Sequence, residues 1–226
     1  MMEPLKSLSP GQEAMRILLV DDHAVVRSGM KQILAEVCGP VDVGEAGDAQ
    51  EALTAVREQR WDLVFLDIRL PGRSGVEVLK QIRQIAPRLP VLILSTYPES
   101  QYAVRLIRAG AAGYLSKDAD EEEICTAVKQ AVAGRKYISP IVGELLASQF
   151  DHGGSETGDP VHEQLSDREY QIFLDLAAGA RPVDIADRYK ISAKTVATHR
   201  SRILQKMGLS NNAELTLYAY KHDLSR

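Results

Sequence analysis

The stretch RILLVDD, residues 16–22, ends an apolar run abruptly in two adjacent carboxylates, Asp21 and Asp22. Further strand-like runs follow it: VDVGEA at 41–46, DLVFL at 62–66, VLIL at 91–94 and GYL at 113–115. Segments with helical patterns separate and follow these runs, at about 24–37, 49–59, 75–86, 99–109 and 120–133. Successive strand–helix units of this kind predict an α/β domain with a five-stranded parallel sheet and helices on both faces.

The alternation of strand and helix patterns ends after this region. Residues 139–150 predict one more helix, and DHGGSETGDP at 151–160 has the glycine-rich, polar composition of a flexible linker. The remainder has a helical pattern throughout and predicts a small all-α domain of four short helices. We therefore expect a disordered extension at 1–14, an α/β domain at 15–134, an extra helix and linker at 135–163, and a helical domain at 164–226.

Composition and charge limit the class of protein. The net charge of -4 hides an asymmetry, because residues 164–226 carry 10 Lys and Arg against 7 Asp and Glu, while residues 1–163 carry 17 against 24. This difference indicates different partners for the two halves. With 2 cysteines, no apolar run near the ~20 residues of a membrane span and no secretory signal, the sequence favours the cytoplasm.

Polar side chains follow several of the predicted strands. Asp21 and Asp22 follow the first strand and Asp67 follows the third, so these carboxylates should meet at the sheet edge where open parallel sheets bind ligands. Their repulsion favours a divalent cation, and oxygen ligands suit Mg²⁺. Ser95 and Lys117 end or follow the fourth and fifth strands. A hydroxyl and an ammonium opposite a metal-bound carboxylate predict a phosphoryl-transfer pocket with Asp67 as the nucleophile.

The spaced motifs VDD, LD with PG and SG, LS, and GYLSKD resemble those of a response-regulator receiver domain, a flavodoxin-like (βα)5 fold. The resemblance implies that a sensor histidine kinase phosphorylates Asp67. It also implies a switch pair, Ser95 and Tyr114, in which the hydroxyl moves toward the phosphate and the ring turns inward. The implied Mg²⁺ ligands are Asp21, Asp22, Asp67 and the backbone carbonyl of Arg69.

Simpler interpretations exist for single residues of this set. Asp67 alone could be a turn residue ahead of proline and glycine, and Tyr114 could be ordinary core. We interpret His23, which follows the acid pair, as a polar surface residue at the start of a helix.

The helical domain opens with a predicted capping box, Ser166 and Glu169. Farther along, a helix capped by Ser192 carries one apolar face with Val196 and Ile203 and an opposite polar, basic face. Two helices joined by a tight turn, the second of them basic, predict a helix-turn-helix whose second helix enters the DNA major groove.

The stretch LSDRE, IAD and ISAKTVATHRSRILQKMGLS resembles the LuxR-type helix-turn-helix. By this resemblance the predicted phosphate contacts are Lys194, Thr195, Arg200, Arg202 and Lys206, and the base-reading positions are Ala197, Thr198 and Ser201. His199 is a further candidate at the edge of the polar face. Lysine is frequent in the family where Ala197 stands, so this chain should favour apolar contact with thymine methyls. The alternative is a solvated charged face on a helical bundle.

A receiver followed by a LuxR-type domain is the arrangement of the NarL/FixJ class of response regulators. The resemblance implies a two-component transcription regulator with a histidine kinase and promoter DNA as partners, RNA polymerase as a further candidate, and a homodimer through the last helix, which could instead merely cap the bundle. It implies phosphate acceptance rather than enzymatic turnover, apart from hydrolysis of its own phosphoaspartate. One alternative is an aspartyl-phosphate phosphohydrolase, which is disfavoured because Arg69 stands where such enzymes place a second aspartate. The other is a DNA-binding protein whose front domain is only an interaction module.

Overall fold

The computed structural model describes residues 14–151 and 160–224. Most of the predicted extension and of the predicted linker therefore lies outside the described residues. The strands are β1 (Met15–Val20), β2 (Val41–Ala46), β3 (Leu63–Asp67), β4 (Val91–Ser95) and β5 (Gly113–Ser116). The helices of the front domain are α1 (Ala24–Cys38), α2 (Ala49–Glu58), α3 (Gly75–Ile85), α4 (Glu99–Arg108), α5 (Glu121–Val132) and α6 (Pro140–Asp151).

The five strands form one parallel sheet in the order β2-β1-β3-β4-β5, which confirms the predicted fold. Every residue of β3 and β4 is buried, because helices cover both faces of the sheet. The alternation of side chains along β1 divides the core. Leu18 faces the cluster shared with α2, α3 and α4, and Ile17 faces the cluster shared with α1 and α5.

The back domain consists of a 3₁₀ turn (Val161–Gln164) followed by α7 (Asp167–Ala177), α8 (Pro182–Tyr189), α9 (Ala193–Met207) and α10 (Asn212–Lys221). The predicted capping box is present, since the Ser166 side chain accepts from the Glu169 N–H and the Glu169 carboxylate accepts from the Ser166 N–H. Lys190 ends α8 in the left-handed conformation, and Ser192 caps α9. This tight turn confirms the predicted helix-turn-helix.

The two domains pack against each other. One apolar cluster extends from the α2–α4 side of the sheet into the back domain, and the rings of Tyr102 on α4 and Tyr170 on α7 meet edge to face with centroids 5.2 Å apart. Within the described ranges, no helix is long and apolar enough to cross a membrane.

Candidate functional sites

The predicted acid cluster forms at the carboxyl end of the sheet. Ligand atoms of Asp21, Asp22, Asp67 and His23 all lie within 4.8 Å of one another. Asp67 is the last residue of β3 rather than the first residue after it, and it is almost fully buried. Asp21 is also buried, whereas Asp22 is exposed. The cluster therefore has a closed inner side and an open outer side.

Lys117 connects the two buried carboxylates. Its Nζ lies 2.5 Å from Asp21 Oδ2 and 2.7 Å from Asp67 Oδ2. The backbone N–H of Arg69 donates to Asp67 Oδ1 at 3.0 Å. Three carboxylates and one ammonium leave two negative charges in a partly desolvated pocket. This charge and the oxygen donors suit a hard divalent cation such as Mg²⁺.

Burial raises the pKa of Asp67, while the neighbouring Lys117 opposes that shift. The desolvation of the carboxylate strengthens each electrostatic contact in the pocket. A desolvated carboxylate is also a better nucleophile than a hydrated one, since less solvent must leave before it reacts.

Both candidate switch residues bond to the backbone of Tyr97, in the loop after β4. Ser95 Oγ accepts from the Tyr97 N–H at 3.1 Å, and the Tyr114 hydroxyl donates to the Tyr97 carbonyl at 2.7 Å. The Tyr114 ring is buried, and this burial raises its pKa. The tyrosine thus lies inward and links β5 to the β4–α4 loop.

His23 is part of the acid cluster, although its side chain is largely exposed as the sequence suggested. Its Nδ1 lies 2.8 Å from Asp22 Oδ1 and 3.1 Å from Asp21 Oδ1, and its N–H donates to Asp21 Oδ1. The position of His23 directly after Asp22 is the feature of the sequence that could have indicated its place in the cluster. The ring direction depends on the backbone at the start of α1, which the sequence pattern does not specify.

Gly75, at the start of α3, packs against the strand that carries Asp67. Its N–H donates to the Ile68 carbonyl at 2.9 Å. A Cβ at this position would lie 2.5 Å from the Asp67 carbonyl oxygen and 2.6 Å from Ile68 Cα. Both neighbours are backbone atoms, so the contact could be relieved only by moving the loop between β3 and α3.

We expect Gly75→Ala to destabilise the chain by about 1–3 kcal/mol and to slow phosphorylation of Asp67, because it displaces that loop. Gly29→Ala is the matched control, since Gly29 lies inside α1 with nothing within 4 Å of its added Cβ. The control should be neutral or stabilising by about 0.5–1 kcal/mol. Urea denaturation measures both, and equal stability of the two variants would contradict the close approach.

The candidate nucleic-acid interface is the outer face of α9. Val196 and Ile203 are fully buried, as the helical pattern predicts. The exposed positions on this helix include Lys194, Ala197, Thr198, Ser201, Arg202 and Lys206. The docked receiver leaves this face open.

Two of the predicted phosphate contacts on α9 have partners within the domain. Arg200 Nε donates to Asn212 Oδ1 at 2.7 Å, and Lys206 Nζ lies 2.7 Å from Glu169 Oε2. Thr195 and His199 are half-buried, and burial lowers the pKa of His199. Arg200 and Lys206 thus tie α9 to the bundle, and the exposed residues, Lys206 among them, carry the candidate interface.

Comparison with known proteins agrees with this geometry. The sequence profile of the response regulator receiver domain matches residues 17–129, and that of the LuxR family of bacterial regulatory proteins matches residues 163–219. The response regulator GacA of Pseudomonas aeruginosa is 35% identical over 209 residues, covering 92% of this chain and 97% of GacA. The response regulator UvrY of Escherichia coli K12 is 34% identical over 209 residues, covering 92% and 94%.

Two solved structures show the same folds. A LuxR-family two-component response regulator from Aurantimonas sp. SI85-9A1 is 36% identical with a TM-score of 0.56, over 62% of this chain and 99% of that one. RcsB from Salmonella enterica serovar Typhimurium, solved bound to promoter rprA, is 20% identical with a TM-score of 0.61, over 91% and 98%, a likeness of fold alone.

The chain belongs to the response regulators, with a receiver domain followed by a LuxR-type DNA-binding domain. This arrangement is that of the NarL/FixJ class, and its relatives GacA and UvrY share it over nearly their whole lengths.

Proposed function

We propose that this response regulator is switched by phosphorylation of Asp67 and that α9 then reads promoter DNA. The observation that carries the proposal is the pocket in which Lys117 Nζ contacts both Asp21 and Asp67 at the carboxyl end of the sheet. Burying a carboxylate beside an ammonium and two more acids costs free energy, because all of these charges lose solvent. A role in stabilising the fold therefore does not explain the pocket.

In the proposed reaction an Asp67 oxygen attacks phosphorus, and the bond from phosphorus to the kinase histidine nitrogen breaks. Bound Mg²⁺, held by Asp21, Asp22, Asp67 and the Arg69 carbonyl, would neutralise charge on the phosphoryl oxygens. Lys117 exchanges its contact with Asp67 for one with the new phosphate. The hydroxyl of Ser95, which is fully buried, donates a hydrogen bond to a phosphate oxygen.

When Ser95 moves toward the phosphate, its hydrogen bond with Tyr97 must change, because Ser95 Oγ accepts from the Tyr97 N–H. The Tyr114 hydroxyl holds the carbonyl of the same residue, so both switch residues act on one loop. We propose that phosphorylation thereby shifts the balance between conformations of the β4–α4 region by a few kcal/mol.

On DNA, the exposed face of α9 supplies phosphate contacts from Lys194 and Arg202 and base contacts from Ala197, Thr198 and Ser201. The match of residues 163–219 to the LuxR family of bacterial regulatory proteins supports this role. Leu217 and Tyr220 on α10 are 53% and 72% exposed and support a homodimer through that helix. We expect the protein to act in the cytoplasm, with RNA polymerase as a further candidate partner.

The decisive experiment measures DNA affinity of the full chain with Mg²⁺, with and without beryllofluoride. The proposed function predicts a severalfold tighter complex with the phosphoryl analogue, at fixed salt. Unchanged affinity would favour the front domain as an interaction module. Turnover of small phosphate esters would favour a phosphohydrolase, whereas we propose no turnover beyond hydrolysis of its own phosphoaspartate.

A further inference from the structure

The first part of the loop between β3 and α3, residues 68–72, directly follows Asp67 and contains the Arg69 carbonyl proposed as a metal ligand. We call it the metal loop. Three of its backbone groups bond to the DNA-binding domain. The Ile68 carbonyl accepts from Gln171 Nε2 at 3.1 Å, and the Gly72 carbonyl accepts from Arg168 Nη2 at 2.9 Å. The Gly72 N–H donates to the Tyr189 carbonyl at 3.3 Å.

Gln171 is well placed to hold this loop. It is fully buried on α7, and its Oε1 accepts from Arg168 Nη1 at 3.1 Å. That bond orients the amide so that its N–H group points at Ile68. The Arg168 guanidinium in turn lies over the Tyr189 ring, 4.5 Å from its centroid. The two side chains and the ring therefore form one rigid support beneath the metal loop.

Helix α7 also contacts the loop between β4 and α4, which lies at the same carboxyl end of the sheet. The Tyr97 hydroxyl donates to Asp175 Oδ1 on α7 at 3.3 Å, and the Tyr189 hydroxyl donates to Asp175 Oδ2 at 2.7 Å. Arg188 pairs with the same carboxylate. Since the Tyr97 backbone also bonds to Ser95 and Tyr114, α7 contacts both loops that border the acid cluster.

We propose that α7 of the DNA-binding domain is part of the receiver's metal site, with Gln171 as a positioning residue for the metal loop. The inference rests on the proposed function, because it assumes that the acid cluster binds Mg²⁺. A loop already held in place loses less conformational freedom when its carbonyl binds the ion, so the docked DNA-binding domain raises Mg²⁺ affinity. By linkage, Mg²⁺ must favour docking to the same degree.

The test is calorimetric titration of the full-length chain with MgCl₂. Gln171→Met keeps the length of the side chain and removes the amide, while Ile68 keeps its bond from the Gly75 N–H. We expect the Kd for Mg²⁺ to rise about three- to tenfold, the value of one hydrogen bond. Hydrogen exchange in peptide 68–75 should become faster in the same variant, and this readout reports local opening of the loop without depending on bound Mg²⁺.

Glu169→Gln is the matched control. Glu169 is a buried polar residue on the same helix, but it bonds Ser166 and Lys206 within its own domain. It should leave Mg²⁺ affinity and exchange in peptide 68–75 unchanged. If the control weakens Mg²⁺ binding as much as Gln171→Met, the effect is general destabilisation and the inference is overturned.

Arg168→Lys is a second variant for the case in which Gln171→Met does not fold. It keeps the positive charge and loses the planar fork that reaches Gly72 and Gln171, so Mg²⁺ affinity should fall in the same direction. If the folded Gln171→Met variant binds Mg²⁺ as tightly as the wild type, the positioning role of Gln171 is overturned while the proposed metal site stands. The same result in Arg168→Lys has the same meaning if Gln171→Met does not fold. Failure of the wild-type chain to bind Mg²⁺ would instead refute the proposed metal site, so the two failures are distinguishable.

Discussion

Asp67→Asn is expected to reduce phosphorylation by acetyl phosphate about a thousandfold or more, to background, while the chain stays folded. The amide keeps the shape of the side chain and its acceptor oxygen for Arg69, but it removes the nucleophilic carboxylate. Lys117 retains Asp21 as a partner, so the pocket is not left with an unpaired buried ammonium. Phosphate-affinity electrophoresis of the wild type and the variant measures the rate.

Asp118→Asn is the control for this substitution. Asp118 is the exposed neighbour of Lys117 and lies outside the acid cluster, so its loss should leave the rate close to that of the wild type. Phosphate appearing on the Asp67→Asn chain at the wild-type rate would show that another residue is the acceptor. A far-ultraviolet circular dichroism spectrum identical to that of the wild type excludes unfolding as the cause.

Arg202→Glu is expected to weaken DNA binding about ten- to a hundredfold at about 0.1 M salt. Arg202 is exposed on the open face of α9, and reversal of its charge both removes a proposed phosphate contact and adds repulsion. The loss should be similar for all DNA sequences, and the dependence of log K on log salt should become shallower by about one unit or more. Fluorescence anisotropy at several salt concentrations gives both quantities.

Lys221→Glu makes the same change in charge at the end of α10, outside α9. If binding depends on a local contact, this control should lose far less affinity than Arg202→Glu. Equal losses, in a variant whose oligomeric state by light scattering matches that of the wild type, would show that only the net charge of the domain matters. A loss confined to one DNA sequence would show that Arg202 reads bases.

Most elements of the fold could be predicted from local patterns. The predicted strand VDVGEA coincides with β2. Strands β1, β4 and β5 each extend one residue beyond their predictions at one end, and β3 is shifted by one residue toward the C-terminus. The difference at Asp67, which ends β3 instead of following it, arises because its backbone pairs with Leu94 on β4. Such pairing between strands is a tertiary contact that the apolar pattern of one strand does not contain.

Much of the proposed phosphorylation site could also be predicted, because parallel strands bring their carboxyl ends to one edge wherever they lie in the sequence. The contacts of Lys117 with Asp21 and Asp67 agree with that expectation. The partners of Arg200 and Lys206 could not be predicted, since a helical wheel shows which face is polar but not which neighbouring helix lies beside it.

The sequence by itself determines the two folds, the acid cluster and the basic helix, because each depends on periodicity and on the direction of the chain within one domain. Only the tertiary structure decides how the domains share a site. Gln171 and Ile68 are 103 residues apart, and their bond joins a side-chain amide to a backbone carbonyl. Every residue has a backbone carbonyl, so the sequence does not indicate which carbonyl the Gln171 amide will bond to.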